Sequence, residues 1–465
     1  MKKILLFLFI LQFSFIINAQ DISGKWNGAL EVSGTQLPLI FNVTKTPQGY
    51  TTTMDSPMQK AEGIPVTATH FENSTLKLEL VDFQIEYNGT LDANQDFIGT
   101  FTQAGRSLPL KLSKKELELI TPKRPQEPIK PYPYYSEEVV FENAKANVKL
   151  AGTLTLPQKE GNFPVVILIS GSGPQNRDEE LLGHKPFLVI SDYLTRNGIA
   201  VLRYDDRGVG QSTGDFKTCT SQDFATDTEA AIQYLLTRKE INKKKIGLIG
   251  HSEGGLIAQI VAANSKNVAF IVSLAGVGVN GADLLLTQNR LIGKASGMSD
   301  EDLEKAQSIN SCAYQAIQKK QDNKALEIEL KGCLKKVIDN LPASQKTADF
   351  KEDEFIKEQI QELVTPWMKY FIQYRPDVYL KKIKCPVLAL NGEKDLQVEP
   401  KANLAAIKKW VESNGNKKCA IKELPNLNHL FQECKTGAPS EYSTIEQTFS
   451  PIALNEISTW IQKQI

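Results

Sequence analysis

Ile246-Gly247-Leu248-Ile249-Gly250-His251-Ser252-Glu253-Gly254 runs an apolar stretch straight into a G-x-S-x-G string, after which the pattern turns helical. A strand that bends sharply into a helix at a serine between glycines reads as a nucleophile elbow and nominates Ser252 as an attacking group. A serine hydroxyl is a poor nucleophile at neutral pH, so the string has meaning only if an acid and then a histidine follow it along the chain. Both follow.

The chain has four histidines. His70 belongs to a separate amino-terminal region, His184 precedes the serine near the start of an early helix, and His251 sits on a turn that aims consecutive side chains apart. His429 remains, in the loop Leu424-Pro425-Asn426-Leu427-Asn428-His429 after the strand-like run Ala420–Leu424. The acid is expected after the preceding strand, in Pro386-Val387-Leu388-Ala389-Leu390-Asn391-Gly392-Glu393-Lys394-Asp395. Asp395 is preferred; Glu393, its competitor, falls inside the turn at Gly392 and close to the strand end. In this arrangement His429 is general base and acid, and Asp395 fixes its tautomer.

Charge developing on a substrate oxygen requires preorganised donors, each worth about 3 kcal/mol. One is expected from the backbone N–H of Glu253. The other is assigned to Ser172 in Ser170-Gly171-Ser172-Gly173-Pro174, with Gly173 as the neighbour that could displace it; this loop follows the apolar strand Val165–Ile169. A lone G-x-S-x-G string or a lone loop histidine carries little weight. Here the pieces occur in one order, each at the carboxyl end of a predicted strand, where open α/β sheets carry their chemistry.

These motifs, together with Tyr204-Asp205-Asp206-Arg207-Gly208-Val209-Gly210-Gln211-Ser212, resemble the α/β-hydrolase superfamily, in particular its serine aminopeptidase and acyl-esterase branch. The resemblance runs from about Ser136 to the carboxyl end, roughly 330 of 465 residues. It implies Ser252 as nucleophile, Asp395 as acid and His429 as base. One departure is Ser170, which stands where many relatives have a histidine before the oxyanion glycine. The resemblance also implies that Asp206 and Arg207 brace the loop after the fourth strand, in preference to Arg207 meeting a substrate carboxylate.

Lys+Arg and Asp+Glu both total 54, and no basic patch interleaved with aromatics stands out, so nucleic acid is not an expected partner. Lys2 and Lys3 precede an apolar run from Ile4 to Ile17, too short for a membrane span and suited to a secretory leader. Cleavage is expected after Ala19, with retention as an anchor the alternative. The mature chain would carry 52 basic and 54 acidic residues, a net charge of −2, and export would place it in the periplasm or medium. All six cysteines lie beyond the leader, where an oxidising compartment permits disulfides. Cys312 with Cys333 could staple a helical hairpin, and Cys419 with Cys434 could bridge the His429 loop; Cys219 and Cys385 read equally well as buried thiols. No cysteine or histidine cluster has metal-ligand spacing.

Four parts are expected after residues 1–19. Residues 20–119 read as a small antiparallel β-domain, with strands at Leu37–Val43, Leu76–Leu80, Phe97–Phe101 and Leu108–Leu112 and turns at Asn88-Gly89 and Asp92-Ala93-Asn94. Gly24-Lys25-Trp26-Asn27-Gly28 resembles the opening of lipocalin-like domains, although a packing role is preferred to ligand binding. Residues 120–135 hold five prolines between Thr121 and Pro133, the composition of a semi-rigid extended spacer. Residues 136–465 form the catalytic domain, with helices near Phe187–Arg196, Phe224–Thr237 and Glu253–Asn264 and strands at Ala200–Tyr204 and Phe270–Leu274. Within it, 277–380 read as a helical cap with a capped start at Ser299-Asp300-Glu301-Asp302. Trp367, Tyr370, Phe371 and Tyr374 make a stripe at helical spacing, for which a core role is preferred to an acyl pocket.

The fold expected is therefore α/β: an α/β-hydrolase with a mostly parallel central sheet flanked by helices, a helical cap insertion and an amino-terminal antiparallel β-domain. The activity expected is that of an exported serine hydrolase, first a carboxylesterase for small or medium acyl esters, with no cofactor and no membrane span after cleavage. A serine peptidase taking short peptides is the alternative. It needs a group to capture a substrate amine, for which Glu179 and Glu180 are candidates. A binding protein on the same scaffold is a third reading, disfavoured because no triad member is missing.

Overall fold

A computed structural model describes residues 21–32, 35–57, 61–103, 106–117, 123–319, 322–340 and 351–465. The expected leader with its cleavage site, and the first two residues of the spacer motif, lie outside the described residues. The chain divides into two compact units, ending and beginning at Thr121 and Pro122.

In the first unit, β1 (Gly24–Val32), β2 (Thr35–Thr46), β3 (Gly49–Ser56) and β4 (Ala61–Pro65) form one antiparallel sheet. β5 (Ala68–Glu72), β6 (Thr75–Leu80), β7 (Ile85–Leu91), β8 (Phe97–Gln103) and β9 (Arg106–Leu112) form a second. The sheets join on one side through paired bonds between Asn27 and Ser113 and on the other through Val66 N–H to Thr52 O, 3.0 Å. Alternating residues fill the interior, among them Trp26, Phe41, Leu76, Leu78, Tyr87 and Phe97. The expected turn at Asn88-Gly89 is instead mid-strand in β7, where Gly89 pairs with Leu76 and Gly99. The glycine answers a packing need: a Cβ there would stand 2.2 Å from the Tyr87 hydroxyl.

The second unit is built on an eight-stranded sheet in the order β10-β11-β13-β12-β14-β15-β16-β17. Its strands are β10 (Tyr135–Asn143), β11 (Val148–Leu156), β12 (Phe163–Ile169), β13 (Ala200–Tyr204), β14 (Ile241–His251), β15 (Phe270–Leu274), β16 (Val387–Gly392) and β17 (Cys419–Leu424). The two pairings at the β10 edge are antiparallel and the others parallel, so this is the α/β-hydrolase fold. Parallel strands need crossovers, and helices covering both faces make the central strands apolar throughout. Every residue of β13, β15 and β16 is buried accordingly. The crossovers are α1 (Pro186–Arg196), α2 (Ser221–Thr237), α3 (Glu253–Asn264) and, later, α10 (Pro400–Glu412), with α11 (Pro451–Gln462) closing the chain.

Between β15 and β16 lie α4 (Gly281–Ala295), α5 (Asp300–Gln318), α6 (Asn323–Asn340), α7 (Glu352–Leu363), α8 (Pro366–Gln373) and α9 (Pro376–Leu380). Ser299 caps α5, its hydroxyl accepting from the Asp302 N–H. These helices bury an apolar cluster of their own, including Tyr314, Leu330, Leu334 and Ile372. None of the described helices is long and apolar enough to cross a membrane.

The proline-rich segment is docked along the second unit. Arg124 donates to the carbonyls of Leu182 and Ser443, both at 3.1 Å, and the Gln126 amide bonds the backbone of Thr448 and Phe449. Proline gives extension, but a guanidinium and an amide spend their donors on nearby carbonyls, which composition alone does not display.

Cys312 and Cys333 are disulfide-bonded, joining α5 to α6, whereas Cys219, Cys385, Cys419 and Cys434 are free thiols. The bridge considered between Cys419 and Cys434 is not formed. Cys419 opens β17 and Cys434 follows its far end, so a strand about 17 Å long lies between them. The Cys312–Cys333 bridge closes a separation of 21 residues and is expected to hold the cap by about 3 kcal/mol. Cys312→Ser should therefore speed limited proteolysis within α5–α7 while leaving cleavage elsewhere unchanged.

Candidate active site

β14 ends at His251 and α3 begins at Glu253, leaving Ser252 alone in the turn with φ 53° and ψ −117°. Such backbone costs roughly 1–3 kcal/mol and persists only where its surroundings over-determine it. Here they do so by close approach. A Cβ on Gly250 would lie 2.0 Å from the Gly254 carbonyl oxygen, and one on Gly254 would lie 2.0 Å from the Ile169 carbonyl oxygen. The Ser252 N–H is tied to Leu274 O at 2.8 Å, so the elbow is welded to the end of the neighbouring strand.

His429 Nδ1 lies 2.8 Å from Asp395 Oδ2, with both side chains almost fully buried. The other Asp395 oxygen accepts the N–H groups of Gln397 and Val398 at 2.8 and 2.9 Å, which fixes the carboxylate in place. Glu393 turns to the Asn426 N–H, 2.9 Å away. The histidine loop braces itself through buried Asn428, whose Oδ1 accepts from Leu430 and Gln432 N–H. His184 is a buried structural residue bonded to Tyr442 O at 2.8 Å, and burial lowers its pKa to about 4.

The loop after β12 is held by the two aspartates beyond β13. Asp206 accepts from the Ser170 hydroxyl and the Gln175 N–H, both at 3.0 Å, and Asp205 pairs with Arg177 at 2.7 Å. Ser170 thus occupies the departing position usefully, and burial raises the Asp206 pKa well above the ordinary carboxylate range. Arg207 is buried against Asp227, 2.5 Å away, and braces the fold. Among the described residues the backbone N–H groups of Ser172 and Glu253 have no acceptor.

Ser252 and His429 line one cavity of about 220 Å³. Its walls include Leu284 and Leu285 from α4, Trp367 and Phe371 from α8, and Val277, Val398 and Leu430; Ser172, Gln175, Gln288 and Gln397 add neutral polar groups. The aromatic stripe is divided. Trp367 and Phe371 stack at 5.2 Å and face the cavity, while the buried Tyr374 hydroxyl anchors to Gln259 at 3.0 Å.

Three participants have no legible signal in sequence: the Glu253 side chain, His251 and Glu179. Glu253 is buried, with Oε1 accepting from Ser221 Oγ at 2.6 Å and from Trp367 Nε1 at 2.8 Å, so it tethers the cap to the elbow. Glu179, weighed as an amine-capturing group, is buried and bonded to His251 Nδ1 at 2.9 Å and to the Gly171 N–H at 2.6 Å. Glu180 is exposed and bonded to Asn176.

The sheet, its elbow and the cavity at the carboxyl ends of the strands define an α/β-hydrolase, and the chain is a serine hydrolase. Residues 146–422 match the X-Pro dipeptidyl-peptidase (S15) family, and the chain belongs to that family. Esterase EstD of Thermotoga maritima is 25% identical over 336 residues, covering 71% of this chain and 70% of that protein. An acyl transferase of Photorhabdus laumondii subsp. laumondii is 30% identical over 152 residues, 32% of this chain and 44% of that one. Among solved structures, Est1E from Butyrivibrio proteoclasticus with ferulic acid bound is 17% identical, covering 70% of this chain and 98% of that chain, at a TM-score of 0.42.

Burial raises the Glu253 pKa against the hydrogen bonds from Ser221, Trp367 and Ser172. A carboxyl that holds its proton more tightly folded than unfolded loses stability for the fold as pH rises from its ordinary value of 4.5 through the folded value. Glu253→Gln keeps an oxygen for Ser221 and Trp367 and carries no charge. Its Tm, measured against wild type, should gain with rising pH above 4.5. A difference independent of pH would contradict this account.

Proposed function

We propose that the protein is an exported carboxylesterase that cleaves small or medium acyl esters through Ser252, His429 and Asp395. The observation that carries the reading is the contact of His429 Nδ1 with buried Asp395, on a ring that shares an apolar cavity with Ser252. Because Nδ1–H donates to Asp395, Nε2 is left as the acceptor that takes the serine proton. Ser252 Oγ attacks the ester carbonyl, and the oxyanion is met by the N–H groups of Ser172 and Glu253. His429 then returns the proton to the departing alcohol, and water, activated by the same imidazole, releases the acid.

The cavity wall favours an ester over a peptide. Exopeptidase action requires an anchor for a substrate amine, and the carboxylate among the lining residues, Glu179, is already engaged. The apolar side chains of α4 and α8 suit an acyl chain. Membership of the S15 family supports the second reading, a serine peptidase with the same triad. Export is supported by the leader pattern and by the cap disulfide, which suits an oxidising compartment.

Purified protein is expected to react with a fluorophosphonate probe and to lose that labelling in Ser252→Ala. Asp395→Asn should lower kcat by about 10⁴-fold, as loss of the orienting carboxylate does in comparable triads. Hydrolysis of short p-nitrophenyl esters without hydrolysis of aminoacyl or X-Pro nitroanilides supports the esterase. Efficient nitroanilide cleavage would transfer the assignment to the peptidase, and labelling that survives Ser252→Ala would defeat both.

A further inference from the structure

Beside the nucleophile lies a buried pair that the reaction as written does not use. His251 Nε2 is 2.9 Å from the main-chain oxygen of His429, and its Nδ1 is 2.9 Å from Glu179 Oε1. A carbonyl oxygen only accepts, so Nε2 carries a hydrogen. Glu179 Oε1 also accepts the Gly171 N–H at 2.6 Å, so one carboxyl oxygen serves both the oxyanion loop and the His251 ring. The two residues thus form a buried hydrogen-bonded pair, each side chain less than a tenth exposed.

The connections reach three loops. Glu179 holds the oxyanion loop at Gly171, His251 is the residue before Ser252, and its far nitrogen grips the backbone of the residue proposed as base. Glu179 does this with φ at 50°, backbone a non-glycine residue adopts at a cost, and such cost concentrates at functional sites. We propose that Glu179 and His251 are positioning residues that keep the oxyanion loop, Ser252 and the His429 loop in register; this rests on the catalytic reading of Ser252 and His429 above.

Burial disfavours charge on His251, but the Glu179 carboxylate and its hydrogen bond, with the His429 carbonyl and Asp395, raise its pKa on balance. The charged or titratable groups facing it are Glu179 from the loop after β12, Asp395 from the loop after β16, and the His429 ring, 4.8 Å away between centroids.

The test compares kcat and KM on a short p-nitrophenyl ester for His251→Ala, His251→Gln, Glu179→Gln and Ser252→Ala. His251→Ala should lower kcat about 100-fold with KM little changed, the scale of a misplaced reacting group. His251→Gln, whose amide can still donate to the His429 carbonyl, should recover part of that loss. Both contacts meet the same Glu179 oxygen, so the Glu179→Gln amide can accept from Gly171 or donate to His251 Nδ1 but not both, and kcat should fall by about tenfold, less than in His251→Ala. Wild-type kcat in a folded His251→Ala protein overturns the pairing, and so do equal losses in folded His251→Ala and His251→Gln together with wild-type kcat in Glu179→Gln. Turnover that survives Ser252→Ala overturns the catalytic reading itself, an outcome distinct from either.

Discussion

A main chain with no room for side chains on either flank of Ser252 is the constraint from which the site follows. Gly254 lies against the Ile169 carbonyl, and Gly250 lies against Gly254. The end of β12, the elbow and the first turn of α3 are thereby in van der Waals contact. That contact brings the loop after β12 beside the first N–H groups of α3, which have no partners within the helix. The same packing sets where a reacting carbonyl can sit. Adding one methyl group at either glycine would force apart elements that hold Ser252 and both candidate donors together.

Around this turn the protein buries several carboxylates and treats each differently. Asp395 accepts two backbone N–H groups and meets the His429 ring, Glu179 accepts a backbone N–H and meets the His251 ring, and Asp205 pairs with a guanidinium. Asp206 and Glu253 lack a cationic partner, and burial raises both. Burying a charge is costly unless it is paired, so an unpaired carboxyl tends toward its protonated form. The result is a division of labour: charged groups orient imidazoles, and carboxyls biased toward neutrality stitch loops together. Negative charge is thus kept low beside the point where an oxyanion is proposed to form.

Much of this was legible in the sequence. Helices read at Phe187–Arg196 and Glu253–Asn264 are α1 and α3, and strands read at Ala200–Tyr204 and Phe270–Leu274 are β13 and β15. Buried parallel strands are continuous apolar runs between polar loops, a pattern that survives without any tertiary knowledge. Asp395 and His429, read from chain order, lie side by side, with imidazole and carboxylate 2.8 Å apart. The β-unit was harder. Gly89 looks like a turn residue because an Asn-Gly pair usually is one, whereas here the glycine makes room for the Tyr87 ring. His251 was passed over on local geometry: adjacent side chains on a turn do diverge, but the one that diverges can still reach the next loop. Its partners lie 72 and 178 residues away in the chain, and no periodicity encodes contacts of that separation.

The cap illustrates why local reading stops where it does. Trp367 sits in a stripe whose spacing predicts a buried face, and half of that stripe is buried as expected. What spacing cannot convey is the indole N–H bonded to Glu253, the residue after the nucleophile. A half-buried indole N–H seeks an acceptor, and a buried carboxyl requires donors, so each satisfies the other's need. Because Glu253 is also the first residue of α3, the bond references α8 to the elbow. A wall placed by hydrophobic packing alone could slide by the width of a methyl group with little loss. One placed by a buried hydrogen bond cannot, since sliding leaves both partners unsatisfied at a cost of about 1–3 kcal/mol each. The pocket beside Ser252 therefore has a wall whose distance from that residue is set by polar chemistry as much as by the packing of the indole.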